Sequence, residues 1–462
     1  MPIKRHGVDS FRKGFAARRP YQETRLVINS NGMPMGNPSV APTPTPKQDQ
    51  LRASGRHTWF PYYAGFSEDF VDSALSQLPI GSVVLDPWNG SGTTTQVAET
   101  LGYRAWGFDL NPVMVVAARA RLLSIRTLPS VHALALQIKG MIKRCETSQA
   151  GIADPLTQWF SRGAAANLRA IESAIRMLLV GSRPLSEVEL ADEMSDLAAF
   201  FYVALFRAVR YLADSFATSN PTWIKVPRHR RSVLRPSPEI VWRAFSSSLA
   251  AMTTSAADPA LAHDPRCNKA RIAVADSRAM PLEPNSVDLI VTSPPYCTRI
   301  DYAVSTRLEL AVLRQDASSF DRLRDGLLGT TSISRYVTPM ELPARTAALI
   351  RSIALHRSKA SATYYRQSYE QYFNSLLVSL RDCRRVIRSG GELILIVQDS
   401  YYKNLHVDLP MLVSEIASVV GWSHSSSDAF RATRNMAQVN PHVRKYRASV
   451  TATEWCLRMR AA

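Results

Sequence analysis

The chain holds 462 residues, 46% of them apolar, which is enough to bury a large core plus a second lobe and excludes a peptide-scale module. Lysine and arginine total 56 against 38 acids, a formal excess of +18 that points to a polyanionic partner such as nucleic acid or an acidic membrane surface. No run of about 18 uncharged apolar residues occurs, Met1 to Arg19 has no apolar stretch behind its basic residues, and the five scattered cysteines form no CxxC pair. Neither a membrane span, a secretory leader, a disulfide framework nor a zinc site is therefore expected, and the expected compartment is the cytoplasm.

Residues 1–56 carry ten Lys/Arg against three acids, and Asn29 to Pro46 is rich in Asn, Gly, Pro, Ser and Thr. A segment with so little apolar periodicity cannot offset its ordering entropy and reads as a mobile basic arm. Phe66-Ser67-Glu68-Asp69 looks like a capped helix start, with the helix running to about Leu78. Ser82 to Asp86 reads as a strand, Pro87 to Gly92 as a glycine-bearing turn, Thr93 to Leu101 as a helix and Ala105 to Asp109 as a second strand. That order begins an α/β fold with a doubly wound, mostly parallel sheet. From Thr127 to Asn268 the β/α rhythm stops, and long helical patterns, clearest from Leu185 to Phe216, mark a helical insertion. Strands resume at Arg271 to Ala275 and Val287 to Thr292. Tyr369 to Ile387 predicts a helix leading through Gly390-Gly391 into a buried parallel strand, Glu392 to Gln398, followed by a helix over Leu409 to Val420 and a terminal strand over Thr453 to Met459.

Two constellations carry chemistry. In Asp86-Pro87-Trp88-Asn89-Gly90-Ser91-Gly92-Thr93-Thr94 the glycines permit a tight turn and let a ligand lie against main-chain N–H groups at the helix start. Asp109 closes the next strand 23 residues after Asp86, near the distance at which such folds present an acid to a ribose diol. The GxGxxG and GK[ST] spacings are absent, so a pyrophosphate is not the expected cargo. Alone, this turn is equally an ordinary strand-to-helix connection. In the second constellation the strand ending at Thr292 runs straight into Ser293-Pro294-Pro295-Tyr296. Two prolines cannot continue a ladder and hold one extended shape at the carboxyl edge, where these folds keep chemistry. There the Ser293 hydroxyl, the Pro294 carbonyl and the Tyr296 ring can converge on a planar ring bearing an exocyclic amine. Alone, the tetrapeptide is equally a proline-ended strand with its tyrosine in the core.

Together these residues resemble the S-adenosylmethionine-dependent amino-methyltransferases of DNA, which methylate cytosine N4 or adenine N6. Asp86 to Thr94 is similar to the family's motif I, commonly DPFxGSGTT, with Trp88 in place of Phe; Phe108 to Pro112 is similar to the ribose-binding motif II. Ala275-Asp276-Ser277 resembles the strand end that meets the adenine, Thr292 to Tyr296 the catalytic motif IV, and His57 to Phe70 motif X. The resemblance covers about residues 57–126 and 271–400. It implies a Rossmann-like class I methyltransferase domain over 57–126 and 269–462, with S-adenosylmethionine as cofactor and no metal. It places Phe66, Ser67, Asp86, Pro87, Asn89, Gly90, Gly92, Thr93, Asp109, Leu110, Asp276 and Ser277 on the cofactor, with Asp86 and the glycine backbone at the methionine end, Asp109 on the ribose and Asp276 on the adenine amine. Ser293, Pro294, Pro295 and Tyr296 become the catalytic loop, and Cys297 takes no catalytic role. Serine at the head of motif IV is typical of cytosine-N4 enzymes; adenine N6 is the alternative, and an RNA amine is less favoured because no familiar RNA-binding module is appended. A restriction endonuclease acting on the same site is a partner the resemblance allows. The chain departs from the family's layouts in placing its large insertion between motifs II and III.

A base in a stacked duplex has to be rotated out before its amine is reached, which calls for a basic groove. Trp223 to Arg235 carries Lys225, Arg228, Arg230, Arg231 and Arg235 with no acid, and Arg431 to Arg447 has five more Lys/Arg with none. The insertion, residues 127–268, is therefore the expected DNA-binding lobe; each run is otherwise a solvated basic loop.

Overall fold

The computed structural model describes residues 26–28, 44, 46, 55–62, 65, 67–144, 153–218, 223–257, 270–297, 301–333, 340–432 and 452–462. Ten strands occur there: β1 (Leu26–Ile28), β2 (Val83–Asp86), β3 (Arg104–Asp109), β4 (Arg271–Val274), β5 (Val287–Thr292), β6 (Ile387–Gln398), β7 (Ser400–Tyr402), β8 (Leu405–Val407), β9 (Trp422–Ala432) and β10 (Ala452–Ala461). Eight form one sheet in the order β1-β9-β10-β6-β5-β2-β3-β4, while β7 and β8 make a separate hairpin. From β4 across to β6 every neighbouring pair is parallel; β10 runs antiparallel to both β6 and β9, and β1 antiparallel to β9. The chain winds outward from β2 to β3 and β4 on one side and from β5 to β6 on the other. The order reverses between β2 and β5, and a doubly wound sheet opens a crevice at such a point, at the carboxyl ends of its strands.

Local sequence accounts for the central strands. β2 is buried at all four positions and β5 at five of six, which an apolar run covered on both faces requires. The helix Thr93–Thr100 starts behind Gly92, whose φ of 87° is left-handed and whose absent Cβ would stand 2.6 Å from the Ala118 Cβ. Elsewhere the structure departs from the pattern. The predicted Leu185 to Phe216 helix is two helices, Glu187–Glu193 and Asp196–Leu212, because Ser195 leaves the helical conformation and caps the second through the Ala198 N–H. β6 begins at Ile387, so Gly390 and Gly391 lie inside the strand, where the register with β5 shifts between Val287 and Leu289. β9 has no counterpart in the expectations: its serine-rich segment is polar, and pairing with β10 overrides that composition. Leu26–Ile28, inside the expected arm, pairs with β9; nearly all of the remaining arm lies outside the described residues.

Between β3 and β4 the described residues form the helices Leu128–Arg144, Arg162–Leu179, Glu187–Glu193, Asp196–Leu212 and Pro238–Ala256. They are not a detached lobe. Asp196–Leu212 is the most buried of them, and its Phe200, Phe201 and Phe206 share one apolar cluster with Val113 and Val116 of the helix Pro112–Arg121 and with Leu308 and Val312. Arg169 donates to the carbonyls of Ala311 and Val312, each at 2.6 Å, and Arg210 donates to the Ser305 carbonyl at 2.6 Å and binds Glu309. Among the described residues no helix is long and apolar enough to cross a membrane.

Glu309 is fully buried and Arg210 only 12% exposed, so removing the carboxylate strands a cation. Glu309→Leu is expected to cost about 3–5 kcal/mol in denaturant unfolding, and adding Arg210→Met should recover most of the loss. A single variant within about 1 kcal/mol of wild type would show that the pair does not hold the insertion in place.

Candidate active site

Where β2 and β5 lie side by side, their last residues are joined. The Asp86 carboxylate, 1% exposed, accepts from Thr94 Oγ1 at 2.7 Å, from Thr292 Oγ1 at 2.5 Å and from the Trp88 N–H at 3.1 Å. Burial pushes its pKa up to about 6 despite these donors. With its oxygens engaged from the strand's own turn, the following helix and the neighbouring strand, Asp86 faces the framework. The two residues that follow it, Pro87 and Trp88, line the cleft.

The cleft itself opens at the carboxyl ends of β2 to β5. Of the expected cofactor residues, Pro87, Asp109, Leu110, Asp276 and Ser277 line it. Asp109 accepts from the Asn111 N–H at 2.8 Å and the Gly90 N–H at 3.1 Å, so the glycine turn is tied to the end of β3. The depth of the site pushes the Asp109 pKa up to about 7, with nearby Asp86 adding to the rise and the two N–H donors opposing it. Gly90 has a φ of 50° and an added Cβ would stand 2.7 Å from the Tyr62 hydroxyl, so no side chain fits there. Asn89, Gly92 and Thr93 serve the turn: Asn89 Oδ1 accepts from Thr95 Oγ1 at 3.1 Å, Gly92 packs on Ala118, and Thr93 Oγ1 accepts from Arg121 at 3.3 Å. Ser67 caps the helix Glu68–Leu75 by accepting from the Phe70 N–H, and Phe66 lies outside the described residues. Asp276 is held in a forked pair by Arg278, whose Nη2 also reaches the Gly326 carbonyl at 3.0 Å; Ser277 Oγ lies 2.9 Å from Ser379 Oγ.

On the opposite side of the cleft stand Ser293 and Pro295. Ser293 Oγ donates to the Ile396 carbonyl of β6 at 3.0 Å, and the Tyr372 hydroxyl donates to the Pro295 carbonyl at 3.0 Å. Burial raises the Tyr372 pKa well above the phenol range, so it remains a donor. Pro294 and Cys297 are buried; Tyr296 is half-buried and stands outside the cleft lining, with its carbonyl against Gly329. Two prolines, a tyrosine and a neighbouring strand thus fix the loop.

Several contributors escaped the sequence reading. Arg121, 2% exposed, donates to the Ser91 carbonyl at 3.0 Å, to Gln96 Oε1 at 2.6 Å and to Glu68 Oε1 at 3.1 Å, fastening the glycine turn to the helix before β2. Tyr62, Arg278, Tyr302 and Thr306 line the cleft. Tyr62 carried a signal, being an aromatic inside the stretch resembling motif X; Tyr302 and Thr306 reach the cleft only because the chain after the proline loop folds back over it. Of the expected basic residues, Lys225, Arg228, Arg231 and Arg235 are exposed, on a segment anchored where Trp159 Nε1 donates to the Lys225 carbonyl at 3.0 Å and the Leu234 N–H donates to the Trp159 carbonyl at 2.8 Å. Arg230 opens a 3-10 turn there. In the Arg431 to Arg447 run, residues 433–447 lie outside the described residues.

Sheet order and a cleft at the switch point define a Rossmann-like, doubly wound α/β fold. No family model matches the chain. Its sequence is similar to the Type II methyltransferase M.BsoBI of Geobacillus stearothermophilus, 20% identical over 409 residues that cover 79% of this chain and 78% of that protein. It is also similar to the Type II methyltransferase M.AvaI of Nostoc sp. and of Anabaena variabilis, 26% identical over 154 residues, 30% of this chain; that match spans about a third (32%) of M.AvaI. Among solved structures, the antibiotic-resistance methyltransferase Kmr aligns with 48% of this chain and 70% of its own at 16% identity and a TM-score of 0.19. The rRNA methyltransferase aviRa from Streptomyces viridochromogenes aligns with 86% of this chain and 87% of its own at 12% identity and a TM-score of 0.24.

Asp109 binds its proton more tightly in the folded protein, where its pKa is about 7, than in the unfolded chain, where it is near 3.8. The folded state therefore holds the extra proton between those values, and the stability this group contributes at low pH is lost as pH rises toward 7. Unfolding wild type and Asp109→Ala side by side from about pH 4.5 to about pH 7.5 should show wild type losing ground to the variant. A difference independent of pH would contradict the raised pKa.

Proposed function

We propose that the protein is an S-adenosylmethionine-dependent DNA methyltransferase acting on the N4 amine of cytosine. The observation that carries this reading is the meeting in one cleft of Asp109 and Asp276, at the ends of β3 and β4, with Ser293 and Pro295 from the loop after β5. The similarity to Type II methyltransferases supports methyl transfer, and the charge of +18 supports a polyanionic substrate.

The cleft fits the cofactor in two respects: two carboxylates, Asp109 and Asp276, line it at the ends of neighbouring strands, and the aromatic rings of Tyr62, Trp88 and Tyr302 stand beside them. S-adenosylmethionine supplies an electrophilic methyl group on a sulfonium sulfur. Asp109 would accept from the ribose hydroxyls, and Asp276, held by Arg278, from the adenine amine. Because Ser293 Oγ gives its proton to the Ile396 carbonyl, its lone pairs are left to accept from the target amine. Such an acceptor favours the pyramidal nitrogen of the transition state over the flat, ring-conjugated amine. Tyr372 holds the proline loop so that this acceptor is placed before the base arrives. Tyr296, beside the cleft, would stack on the rotated base. Cys297 is buried behind the loop and takes no part. The exposed Lys225, Arg228, Arg231 and Arg235 support a contribution of the insertion to DNA binding. A cognate endonuclease belongs to the same reading.

Incubating genomic DNA with the protein and labelled S-adenosylmethionine, then digesting to nucleosides, should yield N4-methylcytosine by mass. N6-methyladenine would overturn the choice of base, and label appearing in RNA alone would overturn DNA as substrate. Ser293→Ala and Tyr296→Ala should lower kcat by roughly 10²-fold or more while cofactor affinity stays near wild type, whereas Asp109→Ala should raise the KM for S-adenosylmethionine before kcat falls. Equal loss of cofactor binding in all three would refute this division of labour. Cys297→Ser should stay active, and the wild-type protein should form no adduct with 5-fluorocytosine DNA; a trapped complex would place the enzyme in the carbon-methylating class.

A further inference from the structure

Residues 342–369 contain Arg345, Arg351, Arg357, Lys359 and Arg366 and no acid, an acid-free basic run longer than either of those read as candidate DNA contacts. The helix Ala344–Ala354 ends there, a turn follows over 355–360, and the π-helical turn Ser361–Tyr365 leads into the helix Arg366–Val386. The β7–β8 hairpin packs on this turn. His356 Nε2 lies 2.7 Å from Asn404 Oδ1, Ser361 Oγ lies 2.6 Å from the Tyr402 hydroxyl, and the Lys403 ammonium sits 5.8 Å above the Tyr365 ring.

Backbone strain singles out the same place. Four non-glycine residues have positive φ among the described residues, and two of them, Ala360 at 64° and Lys403 at 55°, are the bends of this turn and this hairpin. Such conformations persist where the surroundings over-determine them, and they concentrate at functional sites, as do single π turns. The face also adjoins the proline loop: Tyr372 reaches the Pro295 carbonyl, Ser400 Oγ lies 3.5 Å from the Cys297 carbonyl, and Tyr364 donates to the Thr331 carbonyl at 2.6 Å. The hairpin follows β6 directly in the chain, and β6 lies across β5 and β2 from β3, which ends at Asp109. Arg357 and Lys359 are exposed, and Leu355 stands out of this basic surface 86% exposed.

We propose that the 355–360 turn and the β7–β8 hairpin form a duplex-DNA contact face beside the catalytic loop. Arg357, Lys359 and Lys403 take phosphates flanking the target base, and Leu355 packs on a sugar or base edge. A rigid, strained platform suits this task because it presents three cations in one arrangement, and cations that replace condensed counterions give binding its dependence on salt. An apolar side chain on a basic face is the kind of group that minor-groove proteins insert against base steps.

The inference rests on the DNA reading above, and one experiment separates the two. Duplex affinity is measured across a salt series for wild type, for Arg357→Gln/Lys359→Gln/Lys403→Asn, for Arg357→Gln/Lys359→Gln and for Leu355→Ser, with thermal midpoint and S-adenosylmethionine affinity as controls. The triple variant should bind roughly tenfold or more weakly and flatten the slope of log affinity on log salt by up to about 0.9 per lost contact. Leu355→Ser should weaken binding without changing the slope. The double variant, confined to exposed side chains, keeps the result readable if Lys403→Asn disturbs the hairpin. Wild-type binding with an unchanged slope in the double and triple variants overturns this face alone; a wild-type chain that binds no duplex overturns the DNA reading with it.

Discussion

The Asp86 carboxylate is the point on which the site depends. It closes β2, caps its own turn through the Trp88 N–H, and draws in hydroxyls from the following helix and from the last residue of β5. Both loops that face the cleft leave the sheet within a residue of this knot: the glycine turn from Asp86 and the proline loop from Thr292. A buried carboxylate is unfavourable, and the rise of its pKa from 3.8 to about 6 corresponds to about 3 kcal/mol of preference for the neutral form. Three donors reduce that cost without removing it. The strain is local and the gain is geometric: two loops from different parts of the chain hold one relative position.

Around this knot each wall of the cleft has its own support. Asp109 and Arg121 grip the glycine turn from the two sides, one through the Gly90 N–H and the other through Ser91. Tyr372 and the Ile396 carbonyl grip the proline loop. The third wall, carrying Tyr302, Ser305 and Thr306, is set by the helical insertion, because Arg210 holds the Ser305 carbonyl and Glu309 while Arg169 holds the carbonyls at 311 and 312. Part of the insertion's size is thereby explained without any nucleic acid: it is the foundation of a cleft wall. Arg278 closes the fourth side by joining Asp276 to the Gly326 carbonyl, so the acid expected to meet an adenine already has a partner and offers only its remaining acceptor capacity.

The pattern of local sequence determined β2, the glycine turn, β3, β5 and the proline loop, and it placed Asp109, Asp276 and Ser293 at one edge of one sheet. These features depend on near neighbours in the chain: an apolar run makes a buried strand, and glycine or proline ends it in a definite way. Tertiary structure alone decided the rest. β9 is polar and becomes a strand only against β10, Arg121 reaches Ser91 and Glu68 across the fold, and the wall from 302 to 306 stands where the insertion holds it. The direction of a side chain was likewise out of reach: an acid at a strand end reads the same whether it turns to a cleft, as Asp109 does, or to two threonine hydroxyls, as Asp86 does. Which way it turns is set by the donors that long-range packing brings to it, and their spacing in the chain, eight residues for Thr94 and 206 for Thr292, carries no trace of their meeting in space.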